Sequence, residues 1–429
     1  MESVIVASQE SFASRRPQGY PQELHALAYV AIWFFASRLI LTAVGLMALQ
    51  RFPSYPPAQP WGIPALPQVF SIWIRWDSQW YLRIAAQGYT FHSGSMIPEV
   101  FYPLYPALIS LFPRGAQSYA ALGISWSAAI AALWFVHRLA ESVVGRAVAD
   151  RSIRYLVLFP TGFYLSAAYT ESLFLLCSAA ALWAAQQKRW GLAGWAAFAA
   201  ALTRNIGILL VIPLIFSAWA GGKENRPGVG LRRVWKRLRH PTLWGWHKYG
   251  PVLLPIAGFF FWVLYLDVLT GKPTGFLVGE GAWGRHTGSL FLGIPWAINN
   301  LLHPVAFPNV WGGVAANWSI YTRGMHNAID LSSTLLWIGL VVGLWRSRLP
   351  FAWTMWTTLG LLVPLAAPAT PTLYPLASLP RYCLVLFPAF ILLAQWAQRR
   401  PWIDTLIPPL FAGFQVLLFA MFVIHDWVA

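Results

Sequence analysis

"WGLAGWAAFAAALTRNIGILLVIPLIFSAWA" (residues 190–220) decides how the chain is threaded. Read as one long helix, it sends the following "RRVWKRLRH" (residues 232–240) to the opposite side from every other basic connection. Read as two helices of about 14 and 16 residues, broken at Thr203-Arg204-Asn205, it keeps all the basic connections together. Each half then covers only about 21–24 Å of a roughly 30 Å hydrocarbon core. Short, broken helices with a charge at the break are tolerated where they line a cavity. Arg204 is therefore expected to face a polar site.

The composition requires a membrane. Of 429 residues 58% are hydrophobic and only 10% charged, against about 25% charged in ordinary soluble domains. Repeated apolar runs of spanning length give an all-α polytopic membrane protein. The expected spans lie near 26–49, 117–137, 153–169, 170–187, 191–204, 205–220, 251–269, 330–346, 351–368, 381–397 and 403–425, about 11 in all. Met1–His25 is polar and reads as a cytoplasmic segment before an uncleaved first helix, and residues 26–429 as one integral-membrane domain.

With that N-terminus inside, two thirds of the 30 Lys and Arg lie on the cytoplasmic side. They sit in "HRLAESVVGRAVADR", "QQKRW", the basic loop 221–250, "WRSRLP" and "AQRRP". This is the positive-inside asymmetry. The net charge of +16 thus needs no nucleic acid. Cys177 and Cys383 lie in apolar runs without paired or metal-ligand spacing and read as buried free thiols. No internal repeat of 20–50 residues is apparent.

Two outer segments, 50–116 and 270–329, are too long for simple turns and rich in aromatics. They read as interfacial helices and folded loops over the outer mouth. In the first, "RWDSQWYLRIAAQGY" (75–89) places Asp77 among Trp73, Trp76, Trp80 and Tyr81. A helix over 72–86 sets Trp73, Trp76, Trp80 and Ile84 on one stripe, with Asp77 on or beside it. One reading makes Asp77 a helix cap or a partner of Arg75. The other makes it a functional carboxylate in an aromatic, partly dehydrated setting.

Other residues also carry alternatives. Glu171 in "AYTESLF" is either an acidic first-turn residue beside a Thr170 cap or a ligand for hydroxyls. "VFYPLYPAL" (100–108), with Pro103 and Pro106, is expected to form an extended turn, its Tyr102 and Tyr105 packing or touching substrate. Arg38, near the middle of the first span, requires a partner or polar space. His92, His286 and His326 lack metal spacing, and "GEGAWG" is too weak to read as a phosphate loop.

Taken in order, "RWDSQWYLRIAAQGY", "FYPLYPAL", "AYTESLFLL", "ALTRNIGILL" and "LPRYCLVLFPAF" resemble the PIG-V-like mannosyltransferases over most of the chain, about residue 26 to 400. That family belongs to the GT-C superfamily of multi-span glycosyltransferases. These carry an acidic residue in the first non-cytoplasmic loop and use lipid-phosphate sugar donors. The resemblance implies a GT-C-type bundle and a polyprenyl-phosphate mannose donor. It also implies a lipid-linked or glycan acceptor and a site on the non-cytoplasmic face. The membrane would be the plasma membrane of a bacterium or the endoplasmic reticulum of a eukaryote.

An inverting transfer to a phosphate leaving group needs one general base, and Asp77 is the residue expected to supply it. Arg204, Arg381 and Arg75 are the candidates for the donor phosphate. Glu171, Trp76, Trp80, Tyr81, Tyr102 and Asn205 are the candidates for substrate contact. Asp77 and Glu171 with phosphate would suit Mg²⁺ or Mn²⁺. The competing reading is a lipid-linked sugar flippase or other transporter without catalysis. That reading requires ionisable groups at the bilayer midplane and pseudo-symmetry.

Overall fold

A computed structural model describes residues 21–52, 66–89, 98–220, 250–282, 284–286, 288–303, 316–369, 374–424 and 428. Most of the N-terminal segment, the basic loop at 221–249 and His92 lie outside them. The described chain is built of helices. Four are long and apolar enough to cross a membrane: Glu23–Arg51, Arg114–Val144, Gly324–Arg346 and Pro401–Val423. The pair Leu254–Thr270 and Gly275–Gly281 is apolar enough as well, but bent by 86°, the geometry of a broken span or a re-entrant loop. The protein is an integral multi-pass membrane protein.

The first span is α1 (Pro21–Arg51). The first outer segment follows with α2 (Gln68–Ser71), α3 (Ser78–Gln87) and α4 (Leu104–Ser110). Then come α5 (Gln117–Val144), α6 (Arg146–Leu158), α7 (Glu171–Gln186), α8 (Trp190–Ala201) and α9 (Val211–Ala220). Beyond the basic loop lie α10 (Leu254–Thr270), α11 (Gly275–Ala282), α12 (Gly293–Leu302) and α13 (Ala316–Arg346). The chain finishes with α14 (Phe351–Ala366), α15 (Leu379–Cys383), α16 (Pro388–Arg399) and α17 (Pro401–Val423).

The break in residues 190–220 falls where the charge pattern requires it. α8 ends at Ala201, Arg204 is extended (φ −154°, ψ 152°), and a 3₁₀ turn over Asn205–Leu210 leads into α9. Gly207 permits the reversal. A Cβ there would sit 2.4 Å from the Ala200 carbonyl carbon and oxygen, so only glycine lets the chain fold back onto the end of α8. On its return α9 brings Phe216 to 5.0 Å from Phe351, at the start of α14.

Four expectations need correction. The span expected at 153–169 is helical only to Leu158. Phe159 turns extended ahead of Pro160, as the residue before a proline tends to, and 159–170 runs on as largely buried chain whose one regular element is a 3₁₀ turn over Gly162–Leu165. The span expected at 381–397 is split, because Pro388 opens a new helix after the short α15. The helix expected over 72–86 begins only at Ser78, since Trp76 adopts a left-handed backbone (φ 53°) that no helix accommodates. Trp73 therefore lies outside the helix, 1% exposed, with its ring 4.6 Å from Phe419. It is a core residue rather than an interfacial anchor. Finally, "VFYPLYPAL" is not wholly extended. Pro106 falls in the first turn of α4, where its missing N–H leaves no bond unmade.

The irregular segment 159–170 survives burial because side chains satisfy its backbone. Arg38 donates from Nη2 to the Gly162 carbonyl (2.6 Å) and from Nε to Ser166 Oγ (2.6 Å). Trp126 donates to the Ser166 carbonyl, Gln415 to the Val157 and Phe159 carbonyls, and Ser125 to the Tyr169 carbonyl. The Ala168 N–H donates to the Trp73 carbonyl. The mid-span arginine thus finds carbonyl and hydroxyl partners, stacked over Phe34 at 4.8 Å.

Polar contacts collect at two ends of the bundle. One end holds His25, His137, Asp150, Arg151, Arg154 and Asp404, at the start of α1 and the α5–α6 and α16–α17 connections. His137 Nε2 lies 2.8 Å from Asp150, and Arg151, Arg154 and Tyr155 all bond Asp404. The other end holds the candidate site. Cys177 and Cys383 are free and buried, as expected. Gly207→Ala is expected to destabilise the fold by about 1–3 kcal/mol through overpacking, read as a lowered thermal midpoint of the detergent-solubilised protein.

Candidate functional site

Each charged residue of the site sits where a helix starts, stops or is interrupted. Asp77 precedes α3, Glu171 opens α7, Arg204 occupies the break after α8, and Arg381 lies in α15. Such positions leave side chains free to turn inward instead of outward to lipid.

The four form one continuous chain of ion pairs. Arg381 Nη1 donates to Asp77 Oδ2 at 2.8 Å, and its Nε donates to Glu171 Oε1 at 2.5 Å. Arg204 Nη1 donates to the same Glu171 oxygen at 2.6 Å. Exposure separates their roles. The Glu171 side chain is 0% exposed, Arg381 7%, Arg204 10% and Asp77 15%. Asp77 is thus the more exposed of the two acids, while Glu171 is sealed and holds both guanidinium groups. The contact with acceptor hydroxyls anticipated for Glu171 is not offered by this geometry. Its second oxygen, Oε2, is buried and has no hydrogen-bond partner among the described residues.

Aromatic rings frame the chain. The Arg381 guanidinium lies 4.5 Å from the Tyr169 ring and 5.0 Å from that of Tyr164, a placement that favours a desolvated cation. Tyr382 stands between two arginines, with Arg204 at 5.2 Å and Arg285 at 4.8 Å. Arg285, which the sequence reading did not single out, donates to the Ala367 and Ala377 carbonyls and so ties the second outer segment to the chain ahead of Arg381. Thr161 Oγ1 donates to the Pro380 carbonyl, which fixes the turn carrying Arg381.

The Asp77 backbone is held as firmly as its side chain. Its N–H donates to Tyr169 Oη (3.1 Å), and that hydroxyl donates to the Arg75 carbonyl (3.1 Å). Asp77 occupies the N-cap position of α3 but makes no side-chain capping bond. Both bland alternatives are thereby set aside, because the carboxylate is bonded to neither the helix nor Arg75. Arg75 itself does not join the ion-pair chain. Its Nε donates to the Val423 carbonyl at the end of α17, and burial pushes the guanidinium down to about 10.

The remaining candidates divide. Tyr81 Oη lies 3.3 Å from Thr170 Oγ1, beside Glu171, and burial raises its phenol above the ordinary value. Trp80 is buried, stacked on Phe101 at 5.5 Å. Trp76 is half-buried next to Asp77, and Asn205 is exposed just past Arg204. Tyr102 is buried near Trp262 at 5.8 Å, away from these ion pairs. Tyr105 proves structural, with its hydroxyl bonded to the Ala121 carbonyl and Ser125. Of the outer histidines, His286 is exposed and His326 buried.

The anticipated divalent metal finds a poor donor set here. Both carboxylates are engaged by guanidinium groups, Arg381 lies between them, and no group of three His, Cys, Asp or Glu is placed to hold a metal among the described residues. What the arrangement offers is one reachable carboxylate beside buried cations. Glu171→Ala is expected to cost about 3–5 kcal/mol, the magnitude for removing one partner of a buried ion pair. Chemical unfolding in detergent micelles measures it, and a loss below 1 kcal/mol would refute the pairing.

No family model matches the chain. Over 122 residues it is 34% identical to "GPI mannosyltransferase 2" of Yarrowia lipolytica, a stretch that is 28% of this chain and 34% of that protein. The chain is also similar to solved structures, at TM-scores below 0.5. ArnT from Cupriavidus metallidurans, bound to undecaprenyl phosphate, matches with a TM-score of 0.45 at 12% identity, over 93% of this chain and 76% of that one. The archaeal oligosaccharyltransferase AglB from Archaeoglobus fulgidus matches with a TM-score of 0.37 at 11% identity, over 92% and 56%. The resemblance to the PIG-V-like mannosyltransferases read from five ordered motifs is therefore met by a relative of that type, matched over about a third of its length.

Proposed function

We propose that the protein is an inverting membrane glycosyltransferase, moving mannose from a polyprenyl-phosphate donor to a hydroxyl of a lipid-linked or glycan acceptor. The observation that carries this reading is Asp77, the most exposed member of the chain Asp77–Arg381–Glu171–Arg204. In this mechanism the acceptor oxygen attacks the anomeric carbon from the face opposite the phosphate. The bond from that carbon to the phosphate oxygen breaks, and the configuration inverts. Asp77 takes the acceptor's hydroxyl proton. The phosphate leaves with the bonding pair as polyprenyl phosphate, and needs no protonation.

The departing oxygen gains charge as the bond breaks. Fixed cations beside it stabilise that charge without reorganising at the moment of reaction. Arg381 and Arg204 are the groups in place to do so, and Glu171 holds both. The similarity to a mannosyltransferase supports the choice of sugar. The basic connections at the opposite end of the bundle support a site on the non-cytoplasmic face. A transporter reading has less behind it, because Arg38 is satisfied by carbonyl and hydroxyl groups rather than poised for cargo.

Asp77→Asn keeps the size of the side chain and removes the base. Sugar transfer is expected to fall by roughly 10²–10⁴-fold with membrane insertion unchanged, measured with purified protein and radiolabelled polyprenyl-phosphate mannose. Near-normal transfer excludes Asp77 as the base. The same assay with polyprenyl-phosphate glucose is expected to show little consumption of donor; equal consumption of both overturns the choice of mannose.

A further inference from the structure

Trp76 takes its left-handed backbone (φ 53°) immediately before Asp77. A bulky residue enters that region only when its surroundings hold it there. The two peptide groups that flank it are bonded to one atom. On one side the Arg75 carbonyl accepts from Tyr169 Oη at 3.1 Å, and on the other the Asp77 N–H donates to the same oxygen at 3.1 Å. A hydroxyl both donates and accepts, so it closes the kink from both sides. A pure donor or a pure acceptor would satisfy only one of the two groups.

Tyr169 is itself fixed in place. It is 1% exposed, and its ring meets Tyr164 at 5.0 Å, Phe422 at 6.2 Å and Tyr81 at 6.3 Å. Ser125 Oγ donates to its carbonyl, and the N–H of its neighbour Ala168 donates to the Trp73 carbonyl. The segment that carries Tyr169 is therefore stitched to the segment before Asp77 at a second point.

The kink bears on which partner Asp77 takes. Asp77 stands at the N-cap of α3 yet makes no capping bond, and its Oδ2 instead accepts from Arg381 Nη1 at 2.8 Å. Tyr169 also reaches that arginine, whose guanidinium is 4.5 Å from the ring centre. One residue thus touches the acid's backbone through its hydroxyl and the paired cation through its ring. The turn ahead of the cation is built alike. Ser378 is left-handed (φ 64°) at the start of α15, and Thr161 Oγ1 donates to the Pro380 carbonyl. Side chains of one buried segment, 159–170, pin both turns.

We propose that Tyr169 is a positioning residue, whose hydroxyl holds Trp76 left-handed and so turns the Asp77 carboxylate toward Arg381 and away from α3. Its effect on turnover rests on the glycosyltransferase reading, but the placement of Asp77 is measurable without turnover. Trypsin cleavage after Arg75 and Arg83 isolates residues 76–83, where Asp77 is the one acid, and cleavage after Arg146 and Arg151 isolates 147–151, where Asp150 is. Carbodiimide coupling of the detergent-solubilised full chain to glycine ethyl ester, read by mass spectrometry, therefore reports the two carboxylates separately. In Tyr169→Phe, which keeps the ring, Asp77 is expected to label more than about twofold faster, the scale of one lost hydrogen bond. Unchanged labelling of Asp150 reports that the fold persists. In a Trp76→Gly background, where a left-handed backbone carries no strain, the same substitution is expected to change Asp77 labelling by less than about twofold. Labelling of Asp77 within about twofold of wild type in Tyr169→Phe, or a rise of about twofold or more in the Trp76→Gly background, overturns the proposal. If Tyr169→Phe alone does not fold, the Trp76→Gly background decides, since the substitution is expected to fold there and failure to do so overturns the proposal. For consumption of polyprenyl-phosphate mannose, kcat is expected to fall roughly 10- to 100-fold in Tyr169→Phe with the donor KM within about twofold. An unchanged kcat, or a loss carried by a raised KM, overturns the positioning role. A wild type that consumes no donor counts against the glycosyltransferase reading, and the labelling then judges Tyr169 on its own.

Discussion

Arg381 holds two carboxylates that lie far apart in the chain, Asp77 and Glu171, and the architecture around it follows from that bridge. A guanidinium presents a planar fork of donors, so one side chain bonds two acids in fixed relative positions. Burying any one of these charges alone is costly; buried together and bonded they are tolerated. The fold therefore has to deliver four charged residues from four separate segments to one place. It does so by interrupting helices there. The breaks at Trp76, at residues 159–170, at Arg204 and between α15 and α16 look like defects in a membrane bundle, yet they all surround the ion-pair chain.

Much of this was legible in the sequence, because the signals are local. The break at Thr203-Arg204-Asn205 followed from the sidedness of basic loops, and it falls where the chain reverses. Asp77 stood out as an acid among aromatics in a chain with only 14 acidic residues. Three features were not legible. The unwinding before α3 depends on Trp76 holding a left-handed backbone, which tertiary contacts impose and no propensity predicts. The buried segment 159–170 has the hydropathy of a span, and only partners from α1, α5 and α17 reveal that it is not an α-helix. Glu171 was left open between an acidic first-turn residue and a ligand for hydroxyls, because a sequence shows that an acid is present, not that two arginines close over it.

The two polar ends of the bundle work differently. Around Asp404 the acid takes bonds from Arg151, Arg154 and Tyr155, all on α6, and so locks α6 to α17. Arg151, Arg154 and Asp404 are about a quarter exposed, which suits a clamp at a water interface, while Tyr155 is fully buried. At the candidate site the pairs are drier and join segments from across the chain. The first arrangement fixes helices in place, whereas the second fixes one carboxylate against its cations. Arg38, between the two ends, holds the coil that carries Tyr164 and Tyr169 beneath Arg381.

The sequence distances within the ion-pair chain also bear on how the protein is made. Glu171 and Arg204 are 33 residues apart, while Asp77 and Arg381 are 304 apart. Chains are synthesised and inserted from the N-terminus, so Glu171 meets Arg204 early and is neutralised in the growing bundle. Asp77 must wait for nearly the whole polypeptide. Until α15 arrives, the Asp77 carboxylate has no counter-ion, and its loop is held only through the backbone and aromatic contacts it makes with residues up to Tyr169. Completion of the site is thus among the last events of biogenesis, and a chain that stops short of residue 379 carries its acid without the arginine that positions it.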